Sequence, residues 1–371
     1  MTKQAKKDGT AVDLTSIRTR IDEVDKQIHA LINERATFAQ QVGISKGDLT
    51  SAVDYYRPER EAAVLRKIKE RNAGPMRDEE MLRLFREIMS ACLAQQEPLK
   101  VGFLGPEGTF TQTAVYKQFG HSVRALPFHT IDEIFHEVES GVADFGVVPI
   151  ENSTEGSVNN TLDMFLTSPL KIAGEIELRI EQHLLGSETG LDKIERICAH
   201  EQSLAQCRGW IREYLPHAEL IGMSSNAAGA RRARDEDGTA AIGPDVAADV
   251  YDLRILVSNI EDRVDNATRF LVVGRELLAA SGNDKTTILV STSDTGGGAG
   301  VLHQLLKPIA DYGISMTRIE SRPSQRKNWD YVFFIDLDGH AEESPAAEAL
   351  AELKEHSSLF RILGAYPKAV D

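Results

Sequence analysis

The chain has 371 residues, 42% of them hydrophobic, and carries 42 Lys and Arg against 57 Asp and Glu for a formal charge of −15. That length exceeds what one core organises, so two or three domains are expected, and an acidic balance without a basic cluster argues against a nucleic-acid partner. No apolar run approaches the roughly 20 residues of a membrane span, and no apolar segment follows the basic N-terminus MTKQAKKDGT, so a cytoplasmic chain without a membrane partner is expected.

Cys92, Cys198 and Cys207 form no CxxC and have no nearby paired histidines, which disfavours a disulfide framework and a zinc site. Asn152-Ser153-Thr154, Asn159-Asn160-Thr161 and Asn266-Ala267-Thr268 match the glycosylation pattern, which has no meaning without secretion. The charge is uneven. Through Glu97 there are 17 Lys and Arg against 16 Asp and Glu, or +1, leaving −16 for the remainder. The near-neutral first segment reads as a separate domain.

From Asp13 to Glu97 the periodicity is helical. Leu14, Ile17, Ile21, Val24, Ile28 and Leu31 predict one helix over 13–43, about 45 Å long at 1.5 Å per residue, with a narrow seam for partner helices. A break is expected at KGDLTSAVD, a second helix from Pro58, and a third over 77–96 after the breaker Ala73-Gly74-Pro75. Such helices cannot close a core around themselves, so dimerisation through interlocking helices is expected. The seam is interrupted by Arg35, then resumes at Phe38 and Val42, while Glu61 and Gln96 interrupt the stripes of the other two helices. Arg18, Lys46 and Arg60 lie close by in sequence. One carboxylate cannot balance that many sequestered cations, so an anionic ligand is expected to complete the cluster. Arg18 and Arg35 are about 25 Å apart along one helix, so both reach one small ligand only if an antiparallel partner chain supplies one of them.

This segment, through LTSIRTRIDEVDKQIHALINERATFAQQVG, YYRPERE and FREIMSACLAQQ, resembles the all-helical chorismate mutases of the AroQ class. The resemblance implies that Arg18 of the partner chain and Arg35 hold the two carboxylates of chorismate, that Lys46 and Gln96 donate to its ether oxygen, and that Arg60 and Glu61 complete the pocket, Glu61 accepting from the substrate hydroxyl. A pericyclic rearrangement needs no nucleophile, only the folded conformer and stabilisation of the charge that develops as the C–O bond breaks. Arg57 and Cys92 depart from the pattern, standing where some members carry an Asp and a hydroxyl residue.

At LKVGFLGPEGTF short strands begin to alternate with helices: VGFLG, a helix near 111–119, a strand near 123–127, a helix near 130–140, then DFGVVPIENS, continuing to FLVVG at 270–274. This is the pattern of a layered α/β domain. PIENSTEGSVNNT follows an apolar strand, where open α/β sheets bind ligands, and GPEGTFT can present backbone N–H groups to an anion; its spacing is not the dinucleotide fingerprint. GFLGPEGTF, VVPIENS, CAHEQSLAQC and NATRF, in that order, resemble prephenate dehydratase over 100–275. The resemblance implies a domain of two lobes in which Thr268 assists departure of the substrate hydroxyl as a positioned hydrogen-bond donor. Asn152, Ser153, Gln206 and Phe270 would line the site, with Arg269 as a carboxylate anchor. Ala199 stands where some relatives have Ser. His200 and Cys207 lack an activating third residue for nucleophilic work.

After the linker LAASGNDK, the order TTILVST, TGGGAG, VLHQLLKPIADYG, ISMTRIES, YVFFIDLDG, AAEALAELKEH, FRILGAYP is βαββαβ, a ferredoxin-like arrangement. Gly300-Val301-Leu302 and Glu320-Ser321-Arg322-Pro323 resemble the glycine-led turn and the ESRP motif of the ACT domain attached to prephenate dehydratases, which implies phenylalanine binding at a domain interface. The expected organisation is a mutase over 1–97 forming an intertwined dimer or higher homo-oligomer, a dehydratase over 100–275 and an ACT domain over 285–371. Together they would convert chorismate through prephenate to phenylpyruvate under phenylalanine feedback. No residue cluster implies a metal or organic cofactor. Two alternatives stay open: a mutase fused to a non-catalytic small-molecule sensor, and a dehydratase preferring arogenate.

Overall fold

The computed structural model describes residues 13–45, 56–154, 156–187, 190–292, 300–323 and 331–370. The expected break at KGDLTSAVD, Lys46 included, and most of the glycine-rich loop TGGGAG lie outside them. Among the described residues no helix is long and apolar enough to cross a membrane.

Among the described residues three helices come first: α1 (Leu14–Ser45), α2 (Pro58–Arg71) and α3 (Asp78–Ala94). Pro58 sits in the first turn of α2, where its missing N–H costs nothing, and Asp78, Glu79 and Glu80 complement the dipole at the start of α3. The seam of α1 is uncovered in one chain: Leu14, Ile17, Ile21, Val24, Ile28, Leu31, Phe38 and Val42 are between 40% and 67% exposed. The α2–α3 pair instead packs against the first lobe of the central domain. Tyr56, just ahead of α2, is buried between Phe119 and Phe145, with ring centroids 5.6 and 5.4 Å away.

The central domain has two lobes. The first contains β1 (Lys100–Leu104), α4 (Phe110–Phe119), β2 (Arg124–Phe128), α5 (Ile131–Glu139), β3 (Phe145–Asn152), β4 (Gly156–Ser157), α6 (Asn159–Thr167) and β5 (Lys171–Arg179). The second contains β6 (His183–Gly186), β7 (Arg196–His200), α7 (Glu201–Gln206), α8 (Arg208–Tyr214), β8 (Glu219–Met223), α9 (Asn226–Asp235), β9 (Thr239–Gly243), α10 (Asp245–Tyr251) and β10 (Arg254–Val257). The chain then returns to the first lobe as β11 (Ala267–Gly274). The first sheet runs β2-β1-β3-β11-β5, with β4 on β3, and the second runs β10-β6-β9-β7-β8. Two segments cross between the lobes and bond to each other, Ile180 N to Asn266 O at 2.9 Å and Ile260 N to Gln182 O at 2.8 Å. Gly108, at φ 81°, brings the loop after β1 against the second lobe, where a Cβ would meet the Tyr251 ring at 2.7 Å.

The C-terminal domain is β12 (Asp284–Thr292), α11 (Val301–Asp311), β13 (Met316–Pro323), β14 (Tyr331–Asp338), α12 (Ala346–Glu355) and β15 (Ser357–Pro367), with antiparallel sheet order β13-β14-β12-β15. This is the expected ferredoxin-like βαββαβ arrangement. It is not a bead on a tether. Leu162, Phe165, Ile172 and Leu271 of the first lobe share one core with Leu289, Phe334, Leu363 and Tyr366. Gly364 permits the close approach, since a Cβ there would collide with the carbonyl oxygen of Ile172.

Candidate active sites

A cavity of about 330 Å³ lies between the two lobes, lined by Thr109, Phe110, Thr111, Asn152, Gln182, His200, Ser203, Gln206, Ser225, Asn226, Asn266, Thr268 and Phe270, with Leu104, Pro149, Ile180, Gln202 and Ser224 completing the wall. Its centre is a pair of residues facing each other across the β3–β11 ladder, Asn152 opposite Thr268. The Asn152 amide donates from Nδ2 to Thr268 Oγ1 at 2.7 Å and to Asn266 Oδ1 at 3.2 Å. Its Oδ1 accepts from the backbone N–H and hydroxyl of Thr154 at 3.0 and 2.6 Å, which fixes the orientation of the amide. A hydroxyl whose oxygen already accepts has its proton polarised for donation elsewhere. Ser153 holds the two strand ends together: its N–H donates to Ala267 O at 2.9 Å and its Oγ accepts from Ala267 N at 3.0 Å. Two of the three asparagines in glycosylation-like triplets, Asn152 and Asn266, are thus site residues.

The opposite wall is a second polar network. Gln182 Nε2 donates to Ser203 Oγ at 3.1 Å and to Gln206 Oε1 at 3.0 Å, and Asn226 Nδ2 donates to Ser203 Oγ at 2.9 Å. The Oε1 of Gln182 is buried without a partner among the described residues. Among the described residues the wall includes no Lys or Arg. Positive potential comes instead from backbone: α4 begins at Thr109 with no side-chain cap, and α9 begins at Ser225, both on the cavity.

Among the N-terminal helices, Arg35 and Glu61 are half-buried and Arg18 and Arg60 are exposed. Burial pushes the Glu61 carboxyl up to about 7, against the opposing fields of Arg86 and then Arg35. Gln96 donates from Nε2 to the Ala39 carbonyl at 2.9 Å, and its Oε1 is buried without a partner among the described residues. One chain therefore assembles Arg35, Glu61 and Gln96 at one end of the bundle. Arg18 stays far along α1, as the helix rise requires.

Three families match in order: chorismate mutase type II over residues 17–97, prephenate dehydratase over 101–277 and the ACT domain over 298–355. The bifunctional chorismate mutase/prephenate dehydratase of Pseudomonas aeruginosa is 50% identical over 361 residues, covering 96% of this chain and 98% of that protein. The chain belongs to the bifunctional chorismate mutase/prephenate dehydratase family. It is an enzyme with both activities. Among solved structures, prephenate dehydratase of Arthrobacter aurescens in complex with L-Phe aligns with TM-score 0.66 at 37% identity, over 72% of this chain and 90% of that one. A quorum quenching acylase, GqqA, aligns with TM-score 0.67 at 30% identity, over 73% of this chain and 98% of that one. Similar folds thus carry differently named activities, so individual residues must carry the argument.

One dehydratase residue sits elsewhere than its motif suggests. Arg269 is not brought to the cavity. Strand residues alternate faces, so Thr268 and Phe270 face the cavity and Arg269 points through the other face of β11. There its guanidinium pairs with Glu175 at 2.9 Å and with Asp336 of the ACT domain at 2.7 Å, while Lys285 pairs with Glu175 at 2.7 Å. Burial opposes the charge on Arg269, but Asp336, Tyr366 and Glu175 outweigh it and hold the guanidinium above its ordinary range. Its reassignment from substrate anchor to domain interface follows from this geometry.

His200 starts α7, its ring nitrogen accepting from Gln202 N at 3.4 Å, and Cys207 is fully buried, its thiol pushed up by burial and then by Asp262 and Glu261. A protonated thiol is no nucleophile. Among the described residues no group of three or more His, Cys, Asp and Glu is arranged to hold a metal ion.

In the ACT domain, Gly300 precedes α11 with Val301 and Leu302 in its first turn, whereas Glu320–Pro323 lie on the edge strand β13. Two of the ESRP side chains touch the dehydratase: Glu320 accepts from Ser157 Oγ at 3.0 Å, and Arg322 donates to Asn159 and Asp163, each at 2.6 Å. No sequence motif singles out Gln182 or Asn226 as a site residue, whereas Asn266 stands in NATRF. The only signal of Gln182 and Asn226 is position at segment ends that the fold brings together.

Proposed function

We propose that residues 1–97, 100–275 and 285–371 act as mutase, dehydratase and phenylalanine-binding ACT units, converting chorismate through prephenate to phenylpyruvate. The observation that carries the dehydratase assignment is the Asn152–Thr268 contact of 2.7 Å in the interlobe cavity. Thr268 donates a hydrogen bond to the ring hydroxyl of prephenate and keeps its proton. The C–O bond breaks with its electron pair on the departing oxygen, which takes a proton from solvent to become water, while the ring carboxylate leaves as CO₂, its bonding pair entering the new aromatic system. Gln182, Gln206, Ser153 and Asn226 orient the substrate, Phe270 packs against its ring, and the N–H groups at the starts of α4 and α9 receive its carboxylates.

In the mutase, Arg35 and the partner's Arg18 clamp the carboxylates of chorismate, Lys46 and Gln96 donate to the ether oxygen, Arg60 completes the wall and Glu61 accepts from the hydroxyl. The uncovered seam of α1 supports a homodimer. Burying a Leu or Ile side chain contributes about 1.5–3 kcal/mol, and eight seam residues are exposed in one chain. A second apolar group around the ACT edge, Leu302, Tyr312, Met316, Ile319 and Tyr331, supports phenylalanine binding where two ACT domains meet, with Gly300–Leu302 and Glu320–Pro323 supplied by different chains. Three free cysteines, all buried, support a cytoplasmic location.

The test is phenylpyruvate formation from chorismate by the purified full-length chain in metal-free buffer, with and without phenylalanine. Product that falls on adding phenylalanine is the expected result. Prephenate accumulating without phenylpyruvate would refute the dehydratase reading and favour a sensor in the central domain. Arogenate offered beside prephenate decides the preferred substrate.

A further inference from the structure

The ladder position behind the Asn152–Thr268 pair is Glu151 opposite Arg269, and both of these side chains are fastened to the ACT sheet. Arg269 pairs with Asp336 on β14 at 2.7 Å, and Glu151 pairs with Arg318 on β13 at 3.0 Å. The two strands that carry the reacting pair are therefore each tied, one residue away, to a different strand of the regulatory domain. A shift in pairing also falls here: β11 advances one residue from Arg269 to Phe270 while β3 steps from Glu151 to Pro149. Such a bulge re-aims the side chains beside it.

We propose that the Arg269–Asp336 and Glu151–Arg318 bridges are the linkage through which the ACT domain sets the Asn152–Thr268 geometry, with Arg269 and Glu151 as positioning residues. The inference rests on the reading of Thr268 as the donor to substrate and of the ACT domain as the phenylalanine site. Further hydrogen bonds surround both bridges. Asp336 also accepts from Thr287 at 2.7 Å, Thr287 shares a hydrogen bond of 2.9 Å with the fully buried Tyr366, and Arg318 donates to Ser157 at 3.0 Å. Ser157 in turn donates to Glu320, so the edge strand is joined to the second bridge. Shear or rotation of the ACT sheet against the first lobe must pull on β3 and β11 at this position. A displacement near 1 Å takes a 2.7 Å contact out of hydrogen-bond range, and misplacement of that size costs about a hundredfold in rate.

The test uses the full-length chain with Asp336→Asn and Arg318→Gln, singly and together, and Arg318→Lys as the conservative counterpart. Steady-state rates on prephenate are measured at rising phenylalanine, beside direct calorimetric titration of phenylalanine. The linkage predicts that the double variant still binds phenylalanine while the ratio of kcat/KM without and with phenylalanine falls at least about fivefold toward one, with Arg318→Lys regaining sensitivity. Wild-type inhibition in a variant that binds phenylalanine overturns the inference. So does loss of phenylalanine binding, which would place these residues in the ligand site. The single variants carry the same test where the double variant does not fold. Wild-type enzyme that makes no phenylpyruvate, or is insensitive to phenylalanine, refutes the underlying reading instead.

Discussion

The dehydratase and mutase portions solve the same problem, binding a small dianion, with opposite resources. The dehydratase cavity is formed by one chain and has no Lys or Arg among the described residues of its wall, relying on amides, hydroxyls and helix starts. The mutase portion gathers cations on helices whose apolar seam is uncovered and whose Arg18 and Arg35 cannot meet within one chain. A site built on sheet ends between two lobes is complete when the chain folds. On the proposed reading, a site built along a helix bundle waits for a partner chain.

The largest expected effect breaks one site while sparing the other. Thr268→Ala should lower kcat on prephenate by about a thousandfold and leave chorismate consumption unchanged, as read by phenylpyruvate and chorismate absorbance. Retention of dehydratase activity would refute Thr268 as the donor. Arg35→Ala should reduce kcat/KM for chorismate by at least about a hundredfold with prephenate turnover intact. The contrast sharpens with Arg18→Ala. Mixing the two inactive chains under exchange should restore about a quarter of the mutase sites, because half of the dimers carry one intact site of two; absence of recovery would place both arginines in one chain's site.

Asn152→Ala removes the amide that orients Thr268 and should cost about tenfold in kcat, with a smaller change in KM. The smallest effect is in pH. On the proposed reading Glu61 accepts from substrate as the carboxylate, so mutase kcat/KM should rise severalfold as pH increases through about 7, and Glu61→Gln should flatten that rise. The stability sign is opposite to that of a salt-bridged acid. The folded state holds this proton more tightly than the unfolded chain, so unfolding free energy should fall as pH climbs from 4.5 to about 7, a slope lost in Glu61→Gln by denaturant titration.

Much of this division is visible in the residues themselves. The 3-4 spacing from Leu14 to Leu31 announces both a helix and an unmet partner, and NATRF at the start of a strand-forming run marks Thr268. Arg269 shows where motif reading fails: adjacent residues of a motif on a strand serve opposite faces, so Thr268 and Phe270 share a site from which Arg269 is excluded. Period-two alternation over ATRFLVVG held that signal. Gln182 and Asn226 carried none, because their meeting depends on how the two lobes close and no local pattern encodes it.

The tyrosine ahead of α2 has a consequence for how the molecule is partitioned. With Tyr56 lodged between Phe119 and Phe145, the hydrophobic cluster it completes belongs to two annexed enzymes at once. Cooperative units of unfolding then need not follow the boundaries between activities. Slowly exchanging amides of α2 should lose protection together with those of β1 and β3, as one foldon, while the free length of α1 exchanges on its own schedule.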